Sequence, residues 1–467
     1  MQDIHKLAQD IPKSDANAEA RRTGPFQVVL LAVGTLMLAP AAVLADDGDD
    51  AGAPASETWG FHGQATVVSQ YHPAYHAAFS GPESLDHGSR GDTTNDVTLF
   101  LGVRPWAGAE IWLDPEIDQG FGLNNTLGVA GFTSGEAYKV GRSTPYFRLH
   151  RWFLRQTINL GGATEKVDSD QNQLAGTQSA DRLVFTVGQF SVADIFDTNR
   201  YAHDPRNDFS NWSIVDTGTY DYAADAWGFT YGAAGEWYQG NWTTRFGVFG
   251  LSDTPNSKKL DGTLRQFQEN GEIEHRHQIA GQPGAVRVSV FVTHGRMGSY
   301  EEAVEQSRLT GLPANIAAVR RWGLRGGVSL TAEQQVQEGL GVFLRAGWAE
   351  GDKEAFEFTD IDRTVSAGLS LTGDRWGRSG DTVGLAGVVN APSEQLKNFL
   401  AAGGLGILVG DGKLINSGPE RILEAYYSLA LLKIAHLTFD YQFVDNPAYN
   451  RDRGPVSVLG ARLHAQF

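Results

Sequence analysis

The segment Val456-Ser-Val-Leu-Gly-Ala-Arg-Leu-His-Ala-Gln-Phe467 decides the fold class of this sequence. Its odd-numbered positions are mostly apolar, whereas Arg462, His464 and Gln466 alternate with them. This period-two pattern predicts a β-strand with one apolar face and one polar face. We expect this strand to end the chain and to pair with another strand, because a membrane barrel leaves no strand edge open to lipid. The pattern therefore favours a transmembrane β-barrel.

The N-terminal region is typical of an export signal. Two arginines precede an apolar run of roughly 13 residues that begins at Phe26, and an acidic stretch follows Ala45. Such a run suits a signal peptide and falls short of the ~20 residues that a membrane-spanning helix needs. Ordinary secretion suits a barrel better than the twin-arginine route, which exports folded proteins. We predict a signal peptide at residues 1–45, an acidic flexible segment at 46–58 and a barrel domain at 59–467.

Composition narrows the function classes. The chain has no cysteine, which excludes disulfides, thiol catalysis and thiolate metal sites. Its net charge of −17 argues against nucleic acid as a partner. The 56 glycines and the 10 % of aromatic residues fit many short strands with tight turns and aromatic girdles.

Period-two segments recur along the chain and predict about 16 strands, at roughly 25 residues for each strand with its loop. They begin near Trp59, Asp96, Ala109, Phe147, Arg182, Trp227, Trp242, Glu272, Ala285, Arg321, Leu340, Ile361, Thr382, Ile422, Ala435 and Val456. Short helices are predicted within connections at 301–309 and 393–400, and a polar outside loop is predicted at 162–180. The predicted fold class is all-β, a transmembrane antiparallel β-barrel with short helices in loops.

The segment from Trp227 to Trp237 illustrates the two faces of a predicted strand. Trp227, Phe229, Tyr231 and Trp237 share one parity, opposite small or polar residues. We expect the large residues to face lipid and the others to face a water-filled lumen. A large soluble β-protein would also alternate, but its buried faces should not repeatedly present Arg or Glu opposite a continuous apolar face.

The densest basic stretch predicts an irregular strand. Strict alternation would place Arg148 on the face opposite Arg151 and Arg155. A β-bulge near His150 and Arg151 would reverse the phase and turn all three arginines into the lumen. A row of arginines can hydrogen-bond sugar hydroxyls or attract anions. It can also pair with acids on an inward loop and brace the pore, and the sequence leaves both interpretations open.

Several acids are candidates to face those arginines. They are Glu110, Asp114, Glu116, Asp194, Asp197, Asp221, Asp225 and Glu236. Opposed acidic and basic walls suit a polar neutral solute better than a pore of one sign would.

The sequence predicts no catalytic or metal site. No Gly-x-Ser-x-Gly turn occurs, and no carboxylate spacing singles out an acid and a nucleophile. His275 and His277 lie two apart on one strand face, but no third ligand is evident. We therefore expect no enzyme activity, no metal and no cofactor.

Longer blocks of the sequence resemble a known family. Two of the longest are Gly188-Gln-Phe-Ser-Val-Ala-Asp-Ile-Phe-Asp-Thr-Asn-Arg-Tyr-Ala-His-Asp-Pro205 and Asp440-Tyr-Gln-Phe-Val-Asp-Asn-Pro-Ala-Tyr-Asn-Arg-Asp-Arg-Gly-Pro455. Others lie at residues 114–123, 128–132, 135–141, 153–157, 221–228, 403–406 and 424–427. These blocks resemble the carbohydrate-selective porins (OprB-type) of Gram-negative outer membranes, from about residue 59 to residue 467.

The resemblance implies a 16-stranded outer-membrane barrel through which sugars such as glucose diffuse passively. It implies a constriction lined by charged and aromatic side chains. On this chain the implied residues are Arg148, Arg151, Arg155, Glu110, Glu116, Trp112 and Trp212. Phe467 matches the family's assembly signal, which implies the barrel assembly machinery as a partner beside carbohydrate solutes and outer-membrane lipid.

Other functions are compatible with parts of the sequence. An anion or organic-acid channel, or a general porin, would rest on the arginines alone, and the interleaved acids count against selectivity for anions. An outer-membrane hydrolase should show a Ser/His/acid arrangement, and no motif in the sequence indicates one. A soluble periplasmic sugar-binding protein would not need lipid-facing strands. A homo-oligomer is compatible with the pattern, as is a monomer.

Overall fold

The computed structural model describes residues 56–137 and 141–467. Within them, sixteen strands pair antiparallel with their neighbours and close into a barrel. They are β1 (Trp59–His72), β2 (Arg90–Val103), β3 (Ala109–Gly120), β4 (Arg142–Val167), β5 (Gly176–Phe190), β6 (Thr230–Gln239), β7 (Trp242–Gly250), β8 (Phe267–Ile279), β9 (Gln282–Met297), β10 (Arg321–Gln337), β11 (Leu340–Ala349), β12 (Arg363–Thr372), β13 (Thr382–Ala391), β14 (Glu420–Leu432), β15 (Ala435–Asp445) and β16 (Val456–Gln466). The predicted fold class is confirmed, and each predicted start lies inside or just ahead of a different strand.

The barrel closes where its first and last strands meet. The backbone N–H of Phe467 donates to the Gly63 carbonyl at 3.0 Å, and that of Gly63 donates to the Phe467 carbonyl at 3.2 Å. Arg462 and His464 are buried inside, whereas Leu459 is 52 % exposed on the outer face. The period-two interpretation of this strand is confirmed. The predicted signal peptide and residues 46–55 of the predicted acidic segment lie outside the described residues.

Short and long connections alternate along the chain, so they gather at opposite ends of the barrel. The β8–β9 turn consists of Ala280 and Gly281, which both have positive φ (52° and 77°), as a two-residue hairpin turn of type I′ requires. The long connections occupy residues 73–89, 121–141, 191–229, 251–266, 298–320, 350–362, 392–419 and 446–455. In outer-membrane barrels the short turns lie on the periplasmic side and the long loops lie on the extracellular side.

Three α-helices lie in the long connections of the described chain: α1 (Trp212–Val215), α2 (Tyr300–Thr310) and α3 (Glu394–Ala401). The hydroxyl of Ser299 accepts the Glu302 N–H at the start of α2, and that of Ser393 accepts the Leu396 N–H at the start of α3. The two helices predicted at 301–309 and 393–400 are confirmed. No helix in the described part of the chain combines the length and apolarity needed to cross a membrane.

The core of the molecule lies inside the barrel, where the long loops fold inward. Phe196, Phe209, Phe356 and Phe399 of these loops are fully buried. Wall carboxylates hold the loop backbone, as Glu424 does by accepting N–H groups of the 191–229 connection. The 191–229 connection therefore forms much of the inner surface.

Two sequence-based predictions are wrong. The polar stretch 162–180 is not an outside loop, because β4 continues to Val167 and the turn that follows lies at the short-turn end. Polarity alone did not show at which end of the barrel this hairpin extends. Trp227 and Phe229 do not face lipid, because they precede β6 and are 8 % and 5 % exposed. Trp237, inside β6, is 51 % exposed as expected.

Candidate functional site

A cavity of about 890 Å³ lies inside the barrel, lined mainly by β3 to β6, the β4–β5 turn and the 191–229 connection. Four of the seven implied site residues line it: Arg151, Arg155, Glu110 and Trp212. The other three, Arg148, Glu116 and Trp112, lie outside its lining.

A β-bulge at His150 turns the β4 arginines inward. In the β3–β4 pairing, Pro115 faces Leu149 while Asp114 faces Arg151, so His150 is the extra residue. Leu149 remains exposed on the outer face. The phase reversal that the sequence suggested at this position is confirmed by the register.

Arg148 lies against the 191–229 connection, which is called the inward loop from here on. Its Nη2 donates to Asp225 Oδ2 at 2.9 Å, and its guanidinium stands 3.6 Å from the centre of the Trp227 ring. The Trp227 indole N–H in turn donates to the Tyr146 hydroxyl at 3.0 Å. Arg148 is therefore held by an ion pair and a cation–π contact, beside the cavity rather than in its lining.

Arg151 makes a two-pronged ion pair. Its Nε and Nη2 donate to Asp194 at 2.8 and 2.7 Å, while Asp114 lies 3.9 Å from its Nη1. Asp194 belongs to the inward loop, outside the strands. Burial by itself would raise the pKa of Asp194, but the Arg151 charge and its hydrogen bonds outweigh burial and lower that pKa below its ordinary value. The pair therefore fixes the loop to the wall as two opposite charges.

Arg155 is the most exposed of the three arginines, with 30 % of its side chain accessible. Its Nη1 donates to the Asn172 carbonyl at 2.7 Å and lies 3.6 Å from Glu110 Oε2. A guanidinium carries five N–H donors, so most of the donors of Arg155 are available to the cavity. Asn172 belongs to the β4–β5 turn and also donates to Asp114 at 3.0 Å.

Trp112 and Glu116 support the wall and lie outside the cavity lining, so their implied place in the constriction stays a prediction. Trp112 is fully buried, and its ring lies so close to Gly102 that a Cβ atom at position 102 would collide with it. The Trp112 indole N–H donates to Glu110 Oε2 at 3.1 Å. Glu116 is also buried and accepts the Thr98 hydroxyl at 2.6 Å. Trp112 thus orients Glu110, which does line the cavity.

The family model of the carbohydrate-selective porin, OprB family, matches residues 83–467, most of the chain. The chain belongs to this family. Its fold resembles the high-pH structure of Pseudomonas putida OprB, with a TM-score of 0.65 at 15 % identity over 88 % of this chain and 94 % of that chain. The comparison with the outer-membrane channel DcaP of Acinetobacter baumannii gives a TM-score of 0.48 at 10 % identity, over 88 % of this chain and 97 % of that chain. A comparison with curated proteins found no match.

Membership of the OprB family, together with the closed barrel, makes this chain a porin of the Gram-negative outer membrane. The predictions of family, fold class and location are confirmed. The family is one of porins selective for carbohydrates.

The porin has cavity residues that sequence reasoning missed. Arg182 of β5 lies 3.9 Å above the Tyr238 ring and pairs with Glu165 at 3.2 Å, and Arg182 and Tyr238 both line the cavity. Period-two alternation could have found Arg182, since it shares parity with Val184 and Thr186. Both of these residues also line the cavity.

Aromatic residues of the inward loop complete the inner surface. Trp212 stacks on Phe132 with ring centres 5.1 Å apart, and both are buried. Tyr222, Trp227 and Phe229 also line the cavity. The family resemblance had implied Trp212, but the loop has no periodic pattern that would assign Tyr222, Trp227 or Phe229 to the lumen.

Three of the candidate acids serve other arginines. Asp197 lies 3.7 Å from Arg345, and Asp221 accepts Arg325 at 3.0 Å. Glu236 accepts from Arg245, which lines the cavity with it. The expectation that acids face arginines is therefore correct in kind, but these three partners are arginines that the sequence did not single out.

One group of side chains in the described chain has the chemistry of a metal site. Ligand atoms of Glu116, Asp118 and His150 lie within 4.8 Å of one another, and all three residues are buried. His275 and His277, considered from the sequence, stack with ring centres 6.1 Å apart but belong to no such group.

Proposed function

We propose that this porin mediates facilitated diffusion of carbohydrates, such as glucose and related sugars, through a constriction lined by charged and aromatic side chains. Arg155 carries the proposal, because it lines the cavity, stays partly exposed and uses one of its donors on Asn172. Sugar hydroxyls accept such donors, and selectivity then comes from pore width and polar contacts without a cofactor.

The balance of charge supports a neutral solute. The charged residues of the lining comprise six arginines (Arg104, Arg151, Arg155, Arg182, Arg206 and Arg245) and six acids (Glu110, Glu136, Asp194, Asp204, Asp216 and Glu236). Opposite charges at close range create a transverse field that orients polar molecules and gives no strong preference for one ionic sign.

Selectivity for anions is the second candidate. Burial raises the pKa of Glu136 well above its ordinary value. If Glu136 is protonated, arginines outnumber the charged acids of the lining. The alternative therefore predicts block by phosphate.

The test is conductance of the refolded mature protein in a planar bilayer, titrated with glucose, maltose and phosphate. Saturable block by a sugar with a weak effect of phosphate is the expected result. Stable channels that phosphate blocks and sugars do not would establish the anion channel instead. Channels insensitive to all three solutes would indicate a general porin and overturn the sugar proposal.

We also propose how the chain reaches the membrane. Residues 1–45 direct secretion and are removed, and the barrel assembly machinery recognises the strand that ends at Phe467. Replacing Phe467 with Ala should reduce the heat-modifiable barrel form in outer-membrane fractions. Chemical cross-linking of those fractions distinguishes a monomer from a homo-oligomer.

A further inference from the structure

A buried cluster of potential metal ligands lies where the β4 bulge meets β3. Glu116 and Asp118 are two residues apart on β3 and share its inner face. The bulge places His150 opposite them, with Nε2 3.3 Å from Asp118 Oδ2 and 3.5 Å from Glu116 Oε1. The three side chains are at most 3 % exposed.

The spacing of these atoms matches a tetrahedral site. Zinc binds His nitrogen and carboxylate oxygen at about 2.0–2.2 Å, so two ligands of a tetrahedron lie about 3.3–3.6 Å apart. Both measured separations from His150 fall in this range. Calcium and magnesium prefer all-oxygen sites with six or more ligands, so the imidazole favours a transition metal.

The local charge also favours a cation. Asp96 and Glu136 add two further buried carboxylates beside the cluster. Arg206 is the guanidinium that pairs with them, 2.9 Å from Glu136 and 3.9 Å from Asp96. Buried carboxylates therefore gather around one imidazole, and carboxylate oxygen with imidazole nitrogen is a ligand set that binds zinc.

Two independent features point to a ligand at this position. Among the described residues no N–H or O–H group donates to the buried Oδ1 atom of Asp118, although Asp118 is only 2 % exposed. A separate cavity of about 10 Å³ touches Asp96, Asp118 and Glu136. This volume is about that of one water probe, so one water molecule fits beside the cluster.

We propose that Glu116, Asp118 and His150 bind one divalent transition-metal ion of the zinc class, with water as a further ligand. The ion joins β3 to β4 at the bulge. Arg148 and Arg151 lie within two residues of His150, so the ion fixes the point from which both arginines enter the lumen. The site does not depend on which solute the porin carries, and its test is metal binding rather than transport.

The experiment uses the mature chain without a polyhistidine tag, refolded with Zn²⁺ because the site is buried. After dialysis, bound zinc is counted by mass spectrometry, and affinity is measured by competition with a chelator. The variants are His150→Gln and, as a control, His464→Gln. His464 is equally buried on a strand but hydrogen-bonds Thr66 and Gln466.

Wild type and His464→Gln should each retain one zinc ion. His150→Gln should bind zinc at least about 100-fold more weakly, since loss of a supporting partner alone costs 10- to 100-fold. No bound zinc in folded wild type, or unchanged affinity in His150→Gln, would overturn the proposal and leave a cluster of acids that share protons.

X-ray absorption at the zinc edge of the wild-type protein provides a second measurement if His150→Gln does not fold. One imidazole nitrogen and oxygen ligands in four-coordinate geometry are expected. A spectrum without imidazole scattering, or with two histidines, would place the ion elsewhere and reject this site.

Discussion

Arginines on two walls of the same barrel use their guanidinium groups differently. On β10 and β11, Arg325 and Arg345 are at most 1 % exposed, and Arg345 donates to three loop carbonyls, those of Asp197, Ala202 and Ile214. On β4, Arg151 and Arg155 keep 16 % and 30 % of their side chains exposed at the cavity.

The difference concerns whether an arginine has donors left for a solute. Arg345 braces the inward loop. Arg151 is intermediate in the number of donors left for a solute, because Asp194 accepts hydrogen bonds from two of them. Within the described residues, the side chain of Arg155 makes one hydrogen bond, to the Asn172 carbonyl. Bracing and solute contact are thus properties of individual positions, which is why the sequence alone left the choice open.

The largest expected effect is loss of stability in Arg345→Ala. Removing this guanidinium leaves Asp197 buried without its ion pair, and such a loss costs about 3–5 kcal/mol of unfolding free energy. Urea unfolding in detergent, followed by tryptophan fluorescence, measures it. Arg321→Ala is the control, because Arg321 is 69 % exposed in its pair with Glu302 and should cost less than about 1 kcal/mol. Equal costs for the two variants would refute the assignment of Arg345 as a brace.

Arg155→Ala should weaken block by sugar about 10- to 100-fold, since a hydrogen bond from a charged group is worth about 1.5–3 kcal/mol. Conductance in salt without sugar should change much less. Arg155→Lys keeps the charge but loses the planar fork, so its effect should lie between wild type and Arg155→Ala. Single-channel recordings with and without glucose make the measurement. Proportional losses of conductance and block would mean that Arg155 only braces the wall.

Arg148→Lys should have a smaller effect, about two- to fivefold on sugar block, because a cation–π contact is worth about 0.5–1 kcal/mol at accessible sites. Lysine retains the charge that faces Asp225 but loses the flat stacking on Trp227. The same recordings measure it. A loss as large as that of Arg155→Ala would move Arg148 from a supporting position into the constriction itself.

The period-two alternation of the sequence was sufficient to predict the strands of the barrel wall but not the loops that fold into the lumen. The alternation around Arg462 and the phase change at His150 follow from the pleat, since each strand residue points either to lipid or to the lumen. The signal is local and therefore visible in the sequence.

The inward loop depends on contacts between distant parts of the chain. Glu424 holds the backbone of Ser210 and Asn211 across more than 200 residues of sequence. Trp227 carries the same parity as the lipid-facing Trp237, yet it precedes β6 and turns inward. No local pattern distinguishes the two, which is why Trp227 was wrongly assigned to the lipid-facing side.

The smallest expected effect is a pH dependence that arises from Asp216, a cavity residue of the inward loop. Burial, with the nearby charge of Asp197, raises the pKa of Asp216 to about 7 and outweighs the lowering by Arg345. We therefore expect Asp216 to be mostly protonated at pH 6 and mostly ionised at pH 8, which adds negative charge to the lining. Preference for K⁺ over Cl⁻ should rise across that range, by less than the effect of Arg155→Ala on sugar block.

Asp216→Asn isolates this group from the others that titrate nearby. An acid whose pKa is raised on folding binds more protons in the folded state, so its contribution to stability falls as pH rises from about 4 to 7. Relative to wild type, Asp216→Asn should reduce the change of ion preference between pH 6 and pH 8. It should also reduce the change of unfolding free energy between about pH 4 and pH 7. Reversal potentials in a salt gradient and urea unfolding measure the two. Parallel pH profiles for variant and wild type would contradict the raised pKa of Asp216. They would mean that the charge of Arg345 on β11 outweighs burial and keeps Asp216 ionised.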